Sequence, residues 1–331
     1  MERLQQHWYR LSPLHLLLYP LSLLFRLLSA LRRALYRSGA LRSLRLPVPV
    51  IVVGNITVGG TGKTPLTLWL AEQLIADGWH PGIISRGYRK QGAAHDVPRS
   101  VGTDASADEV GDEPLLMARR ALCPVWIGRD RPAAGLALMA AHPECDILIS
   151  DDGLQHYRLQ RDIEIVVVDG ARRFGNGLSL PAGPLREPVS RLRQVDAVVV
   201  NGDTASEPGT FPMSLHGTLF RNLLNPQVTR TAQDFAGLQV HAIAGIGHPQ
   251  RFFRHLQHLG LHPSTHAFPD HHHYVPADIE HAAAEAVLMT EKDAVKCAAF
   301  ATERHWVLQV DAQIDLPLFN LITEKLSRHG R

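Results

Sequence analysis

Cysteine is scarce in this chain of 331 residues: Cys123, Cys145 and Cys297 are its only three, isolated and odd in number. No C-x-x-C pair exists, so neither a zinc ribbon nor a dithiol redox centre can be assembled from them, and they read as reduced thiols in a cytosolic compartment. Net charge is small as well, +2 with histidine neutral. A long uninterrupted apolar run is missing, since the one candidate is broken by Pro20 and Arg26, and this excludes a polytopic membrane protein. With 45% apolar and 20% charged residues, disorder and collagen are excluded too. At the usual ~150 residues per domain the length allows about two domains.

What charge there is lies unevenly. Residues 1–46 hold eight arginines and one glutamate, a net +7, so the other 285 residues are net acidic. The same segment carries the apolar run from Pro13 to Leu28, followed by Arg32, Arg33, Arg37, Arg42 and Arg45. A spanning helix wants ~20 apolar residues, and interfacial insertion fits this stretch better. Most of the arginines follow the run, the reverse of a cleaved signal peptide. Arginines beside an apolar helix gain roughly 1 kcal/mol each from anionic headgroups on the cytoplasmic side. The alternative is an amphipathic helix packed on the body of the protein. No nucleic-acid partner is expected, because an apolar run has no place in a patch that tracks phosphates.

From Pro47 the texture changes. Val48-Pro49-Val50-Ile51-Val52-Val53 predicts a buried parallel strand ended by Gly54-Asn55. Thr57-Val58-Gly59-Gly60-Thr61-Gly62-Lys63-Thr64 follows, and Pro65 opens an amphipathic helix from Leu66 to Ile75. This is a phosphate-loop arrangement. Its glycines let backbone N–H groups face phosphate oxygens, Lys63 reaches the β and γ phosphates, and the Thr64 hydroxyl ligates Mg²⁺. The usual pattern starts with glycine where this chain has Thr57, so Gly59 and Gly60 supply the turn instead. Strands at 82–85, 124–127, 146–149, 163–168 and 197–200, with helices near 114–122 and 130–142, predict an α/β fold: a P-loop NTPase-like parallel sheet covered on both faces, with ligands at the carboxyl ends of its strands.

Ile147-Leu148-Ile149-Ser150-Asp151-Asp152 ends an apolar strand in two carboxylates, where a Walker-B acid holds Mg²⁺. A second acidic cluster, Asp108-Glu109-Val110-Gly111-Asp112-Glu113-Pro114, precedes a helix. Asp112 or Glu113 is there either as a helix cap or as a carboxylate that takes a proton from an acceptor hydroxyl. Arginines recur at strand ends in Ser85-Arg86-Gly87-Tyr88, Gly128-Arg129-Asp130-Arg131 and Pro181-Ala182-Gly183-Pro184-Leu185-Arg186-Glu187, suited to phosphate in flight.

Pro, Gly, Ser, Thr and Asn dominate 202–233, which reads as a linker with short strands. A second, smaller α/β pattern follows: a strand at 240–244, a helix near 249–259, strands at 286–289 and 306–310, and a final helix at about 317–328. Thirteen of nineteen histidines lie after Asn201, three of them consecutive as His271-His272-His273. Adjacent side chains diverge, so no dedicated zinc site is expected, and a histidine tuning a carboxylate is the better reading. The expected organisation is a membrane-associating helix (1–46), a nucleotide-binding domain (47–202), a linker (203–233) and a smaller domain (234–331).

Taken in order, the 54–65 loop, Ser85-Arg86-Gly87-Tyr88, Gly111-Asp112-Glu113-Pro114, Asp151-Asp152-Gly153-Leu154-Gln155-His156, Pro181 to Glu187, Ala244-Gly245-Ile246-Gly247 and Phe268-Pro269-Asp270-His271-His272 resemble the tetraacyldisaccharide 4'-kinase family of lipid A biosynthesis. The resemblance implies Mg²⁺-dependent transfer of the ATP γ-phosphate to the 4'-hydroxyl of a tetraacyldisaccharide 1-phosphate. It implies a peripheral or monotopic enzyme on the cytoplasmic face of the bacterial inner membrane, with an acylated disaccharide lipid and an anionic membrane surface as partners. An acceptor with four acyl chains stays in the bilayer, at ~0.8 kcal/mol per buried CH₂, so the enzyme must come to it. Carried onto this chain, Gly59, Gly60, Thr61, Gly62, Lys63, Thr64 and Pro65 hold the nucleotide, and Thr64, Asp151, Asp152 and Glu113 the metal. Asp112 matches the catalytic base, paired with His271 or, one register on, His272. Tyr88, Arg131, His156, Arg186 and Glu187 match motif positions near the site. Two rivals remain: a partitioning-type ATPase switch, whose signature lysine is replaced here by Val58, and a GTPase, of which Thr290-Glu291-Lys292-Asp293 is a partial echo.

Overall fold

The computed structural model describes residues 8–9, 13–87, 97–202 and 208–328; Tyr88 lies outside the described residues. Helix α1 (Leu14–Arg37) leads into β1 (Val50–Gly54), α2 (Lys63–Ala76), β2 (Pro81–Ser85), the two-residue β3 (Arg99–Ser100), α3 (Ala107–Val110), α4 (Asp112–Arg120), β4 (Val125–Ile127), α5 (Arg131–Ala141), β5 (Ile147–Asp151), β6 (Ile163–Asp169), β7 (Ala197–Asn201) and β8 (Phe211–His216). A second series runs β9 (Phe220–Asn222), β10 (Thr229–Arg230), β11 (Val240–Ala244), α6 (Pro249–His258), β12 (Ser264–Ala267), α7 (Pro276–Ile279), β13 (Ala286–Thr290), α8 (Glu291–Cys297), β14 (His305–Leu308), β15 (Asp311–Ile314) and α9 (Leu316–Arg328).

The first sheet has nine strands in the order β15-β8-β7-β6-β1-β5-β2-β4-β3, parallel from β8 to β4 with an antiparallel strand at each edge. Its central parallel strands, β1, β5, β6 and β7, are buried on both faces because helices cover both. Ile51 and Val53 of β1 pack with Leu66, Leu70 and Leu74 of α2, while Val50 and Val52 pack against Leu138 of α5. The second sheet, β10-β9-β14-β13-β11-β12, has four parallel strands extended by an antiparallel pair. Its strands β11, β13 and β14 are buried on both faces in the same way, while β12 at the edge is exposed.

Sheet membership departs from the linear partition expected of the sequence. From the expected linker, β8 runs parallel to β7, with Val199 opposite Phe211. After the second sheet is complete, β15 returns to pair with β8, Ala312 opposite Leu215, and α9 buries Leu318, Ile322 and Leu326 in the first core. The reason is edge chemistry: without them β7 would present a row of unpaired backbone groups. Pro212 and the polar residues around β8 mask it in the sequence.

Because β1 lies between β5 and β6, the loops after β1 and β5 leave the carboxyl edge side by side, with Val53 opposite Asp151. The carboxyl edge of the second sheet faces them. Gly54 is where β1 passes closest to the turn after β5, and a Cβ there would lie 2.5 Å from Leu154 Cβ and 3.1 Å from its backbone nitrogen. Gly54→Ala should therefore cost about 1–3 kcal/mol of stability by overpacking, read as a lower urea midpoint at unchanged slope.

Candidate functional site

The loop after β1 does not wrap as a lone glycine turn; it is braced from several sides. Thr57, at the position the usual pattern gives to glycine, forms an antiparallel bridge with Leu185, and Val58 N–H donates to the Pro184 carbonyl at 2.9 Å. The Pro181–Glu187 motif is thus a strut for the phosphate loop. Gly62 precedes the first residue of α2 at φ 98°, and a Cβ there would collide with Asn201 Nδ2. Lys63, Thr64 and Pro65 form the first turn of α2, where exposed N–H groups and the helix dipole favour an anion. Gly60 to Pro65 line one wall of a cleft of about 490 Å³ between the two sheets. Ile246, Phe252, His255 and Val310 contribute to the opposite side.

Asp151 and Asp152 leave β5 with different surroundings. Asp151 is fully buried, accepting from Thr67 Oγ1 and Ser85 Oγ at 3.4 Å each. Burial, reinforced by the charge of Glu113, pushes its carboxyl up to about 7. Asp152, in the left-handed region at φ 47°, turns its side chain to Lys63 Nζ at 3.5 Å and Arg186 Nη1 at 3.3 Å. Burial would raise its carboxyl, but those two cations hold it well below the usual range. Arg131 lies buried behind, donating to the Gly128 carbonyl at 2.7 Å, and burial lowers its guanidinium to about 10. His156 is brought down to about 4 by burial, with Arg131 and Arg86 adding to it. Glu187 is wholly engaged in support: it accepts from Gln155 at 2.8 Å and Tyr157 at 2.7 Å and pairs with Arg191 at 3.3 Å and Arg33 of α1 at 3.6 Å.

Asp112 is the first residue of α4, preceded by Gly111 at φ 93° as the N-cap position. Its Oδ1 accepts from the N–H of Glu113 at 3.0 Å, and its Oδ2 lies 3.1 Å from His271 Nδ1. Of the three histidines, His271 is the one that reaches it. His272 turns to Asp278 at 2.9 Å and stacks on Phe268, and His273 faces Asp108 at 3.4 Å. His271 sits at φ 60°, an uncommon backbone region for a histidine, as does Asp152 for an aspartate. Lys292 completes the group, with Nζ 3.1 Å from Glu113, 3.3 Å from Asp270 and 3.8 Å from Asp112. Burial would raise the Asp112 carboxyl, yet the His271 hydrogen bond and the Lys292 charge hold it far below the usual range. The same hydrogen bond raises the His271 imidazole. Three carboxylates keep Lys292 charged despite its burial.

Helix α1 docks with its polar side inward. His15 and Ser22 are buried and Phe25, Ser29, Arg33 and Tyr36 half-buried, at helical spacing. Ser22 Oγ donates to the Ser179 carbonyl at 2.9 Å and accepts from Ala182 N–H at 3.0 Å, both in the segment that braces the phosphate loop. Leu16, Leu17, Leu21, Leu24, Leu27 and Leu28 are exposed, so the helix packs on the body by its polar side and leaves its apolar side outward. By length and composition His15–Arg37 is apolar enough to cross a membrane.

Lys292, Arg172 and Asn201 were not singled out from the sequence. Lys292 stood in the segment weighed as a guanine motif; there Asp293 is fully buried and bonds Thr290 Oγ1 and Gly245 N–H, so it faces no base. Arg172 and Asn201 follow or end apolar strands, which is the one signal that could have found them.

A family model described as Tetraacyldisaccharide-1-P 4'-kinase matches residues 14–327. A curated relative from Azoarcus sp. (strain BH72), named tetraacyldisaccharide 4'-kinase, is 55% identical over 98% of this chain and 95% of its own. One of the same name from Methylobacillus flagellatus is 51% identical over 98% and 96%. The crystal structure of LpxK from Aquifex aeolicus in complex with ATP aligns with TM-score 0.79 at 30% identity, over 95% of this chain and 99% of that one.

The Asp112–His271 pair makes stability depend on pH in two directions. Asp112, lowered in the folded state, stabilises above its unfolded pKa of ~3.9 and loses this as pH falls; His271, raised, stabilises below ~6.5 and loses this as pH rises through its folded value. His271→Ala should therefore destabilise most near pH 5, by roughly 1 kcal/mol or less once solvent screening of this partly exposed ring is allowed for, and least near pH 9, measured by urea unfolding at the two pH values.

Proposed function

The chain belongs to the tetraacyldisaccharide-1-phosphate 4'-kinase family, and on that premise we propose how its own residues carry out the transfer. The protein is a kinase that uses ATP and phosphorylates the hydroxyl of a lipid A disaccharide precursor. In the proposed reaction the 4'-hydroxyl oxygen bonds to the γ-phosphorus, the bond from that phosphorus to the β-phosphate oxygen breaks, and ADP leaves. The hydroxyl proton passes to Asp112.

The carrying observation is the Asp112–His271 contact of 3.1 Å between side chains 159 residues apart. A carboxylate held this low is a weak base. Phosphoryl transfer through a loose transition state needs no strong one, because the attacking oxygen becomes acidic only as its bond to phosphorus forms. On this reading Asp112 orients the hydroxyl and takes the proton late, while His271 fixes which oxygen of Asp112 faces it. Lys63 is assigned to the phosphates, with Asp152, itself paired to Arg186, ordering its side chain. Arg131 and His156 support this wall from behind, and Glu187 braces it.

A Mg²⁺ ion fits the donors present. Among the described residues no group of three acidic, histidine or cysteine side chains is placed to hold a metal ion by itself. Mg²⁺ does not need one, since it keeps waters and takes one or two carboxylates plus phosphate oxygens. Thr64, Asp152 and Glu113 are the accessible candidates, with the buried Asp151 behind them; burial first and then the charge of Glu113 raise Asp151, and a dication would offset that like charge. When bound it would neutralise charge on the transferring phosphoryl group. We assign the outward leucines of α1 to the membrane, with the arginines near its carboxyl end at the anionic headgroups of the cytoplasmic face.

Two measurements test the reading. Transfer of radiolabelled γ-phosphate to tetraacyldisaccharide 1-phosphate in mixed micelles should vanish in Lys63→Ala, and kcat should fall by about 10²–10⁴ in Asp112→Asn with KM for ATP little changed. Membrane-stimulated ATP hydrolysis without a lipid product would favour the ATPase switch instead. Replacing Leu16, Leu17 and Leu27 together by serine should release the protein from anionic vesicles in a flotation assay while leaving ATP binding intact; unchanged flotation would remove α1 from the membrane.

A further inference from the structure

Three consecutive carbonyls of the phosphate loop are each gripped by a side chain. Asn55 Nδ2 donates to the Gly59 carbonyl at 3.3 Å, Arg172 Nη2 to that of Gly60, and Asn201 Nδ2 to that of Thr61 at 2.8 Å. A trans peptide is planar, with its C=O and the following N–H pointing in opposite directions. Holding each of those carbonyls therefore fixes the direction of the N–H group that follows it, that of Gly60, Thr61 and Gly62 in turn. Successive amides aimed together form the concavity that takes a phosphate oxygen.

Asn55 and Asn201 both stand at ends of first-sheet strands, so their grip comes with the sheet. Arg172 differs, because one guanidinium spans both sheets. Its Nε donates to Asp169 Oδ2 at 3.2 Å and its Nη1 to the Gly247 carbonyl at 3.0 Å, in the turn after β11. Asp169, buried at the end of β6, also accepts from the N–H groups of Ala171 and Arg172 at 3.0 and 2.9 Å, and pairs with Arg251 of α6 at 3.3 Å. Gly247 can approach this closely only without a side chain: a Cβ there would stand 2.8 Å from Gly60 N.

We propose that Arg172 is a positioning residue that makes the shape of the phosphate loop depend on the second sheet being docked, through the Gly60–Arg172–Gly247 bridge and the Asp169–Arg251 pair behind it. When the second sheet moves away, Arg172 loses the Gly247 carbonyl and Asp169 loses Arg251. The Gly60 peptide is then free to rotate, and the amide row loses its aim. The ATP site is thus completed by a residue that need not touch ATP, and nucleotide affinity and sheet docking become one equilibrium. This rests on the ATP-transfer reading above and adds the element that couples the two sheets.

The test uses full-length, detergent-solubilised protein, with ATP affinity read by displacement of a fluorescent ATP analogue and transfer kinetics read separately. Arg172→Met should weaken ATP binding by about tenfold or more, the loss of hydrogen bonds from a charged donor, while KM for the lipid stays within about twofold. Arg251→Met, which leaves Gly60 untouched, should weaken ATP binding in the same direction by several-fold. Arg172→Lys, which cannot serve three acceptors at once, should fall between wild type and Arg172→Met. Amide exchange at residues 59–62 should quicken in Arg172→Met and Arg251→Met. Unchanged ATP affinity in Arg172→Met overturns the proposal, and so does equal damage to ATP and lipid KM, which would mark a general structural role. If Arg172→Met does not fold by circular dichroism, Arg251→Met and Arg172→Lys decide: wild-type ATP affinity in both overturns it. A wild-type protein that binds no ATP would instead overturn the ATP-transfer reading.

Discussion

A hydrogen bond tolerates only a few tenths of an ångström, and the one between Asp112 and His271 has its two ends on different sheets. Most of the architecture can be read as the frame this requires. The carboxyl edges of both sheets must face a single cleft, α4 must start at Asp112, and the turn after β12 must bring His271 round in a left-handed conformation. Lys292 closes the frame by placing one buried cation among Asp112, Glu113 and Asp270, which would otherwise repel one another across the gap. Breaking that cluster would leave uncompensated buried charge, so electrostatics ties the two units beside the apolar contact that Val295 of α8 makes with the first core.

Helix α1 inverts the usual logic of a surface helix. A soluble protein turns the apolar stripe inward; here serine, histidine and arginine make the contacts and the leucines are left outside. The inward contacts of His15, Ser22 and Arg33 fall on the 176–187 segment, which also holds Thr57 and Val58, so the same short stretch of chain serves the outward-facing helix and the phosphate loop.

The parallel sheet was legible because fully buried strands are nearly continuous runs of valine and isoleucine, and the phosphate loop because glycine, lysine and threonine at that spacing have few other uses. His271 was legible as one of two registers, and only three-dimensional packing separates it from His272, which is drawn to Asp278 and Phe268. Other parts carried no local signal. β8 and β15 are short edge pieces with polar residues, and their place is set by the unpaired backbone of β7 rather than by their own pattern. Lys292 and Arg172 look like ordinary surface cations in the sequence; their partners come from elements 179 and 75 residues away.

The return of β15 and α9 to the first sheet means that the second sheet is an insertion within the first. A ribosome delivering this chain makes the strands around the phosphate loop early, yet their outer edge stays open until the whole inserted unit has emerged. Such a nascent chain carries an exposed strand edge, and α1, made earlier, waits for the 176–187 segment on which it docks. The inserted unit also has both its connections to the host at neighbouring strands, β8 and β15, so its ends are held close together. Geometry of that kind lets a guest unit fold on its own and tolerates variation within it, because the host sees only two adjacent attachment points.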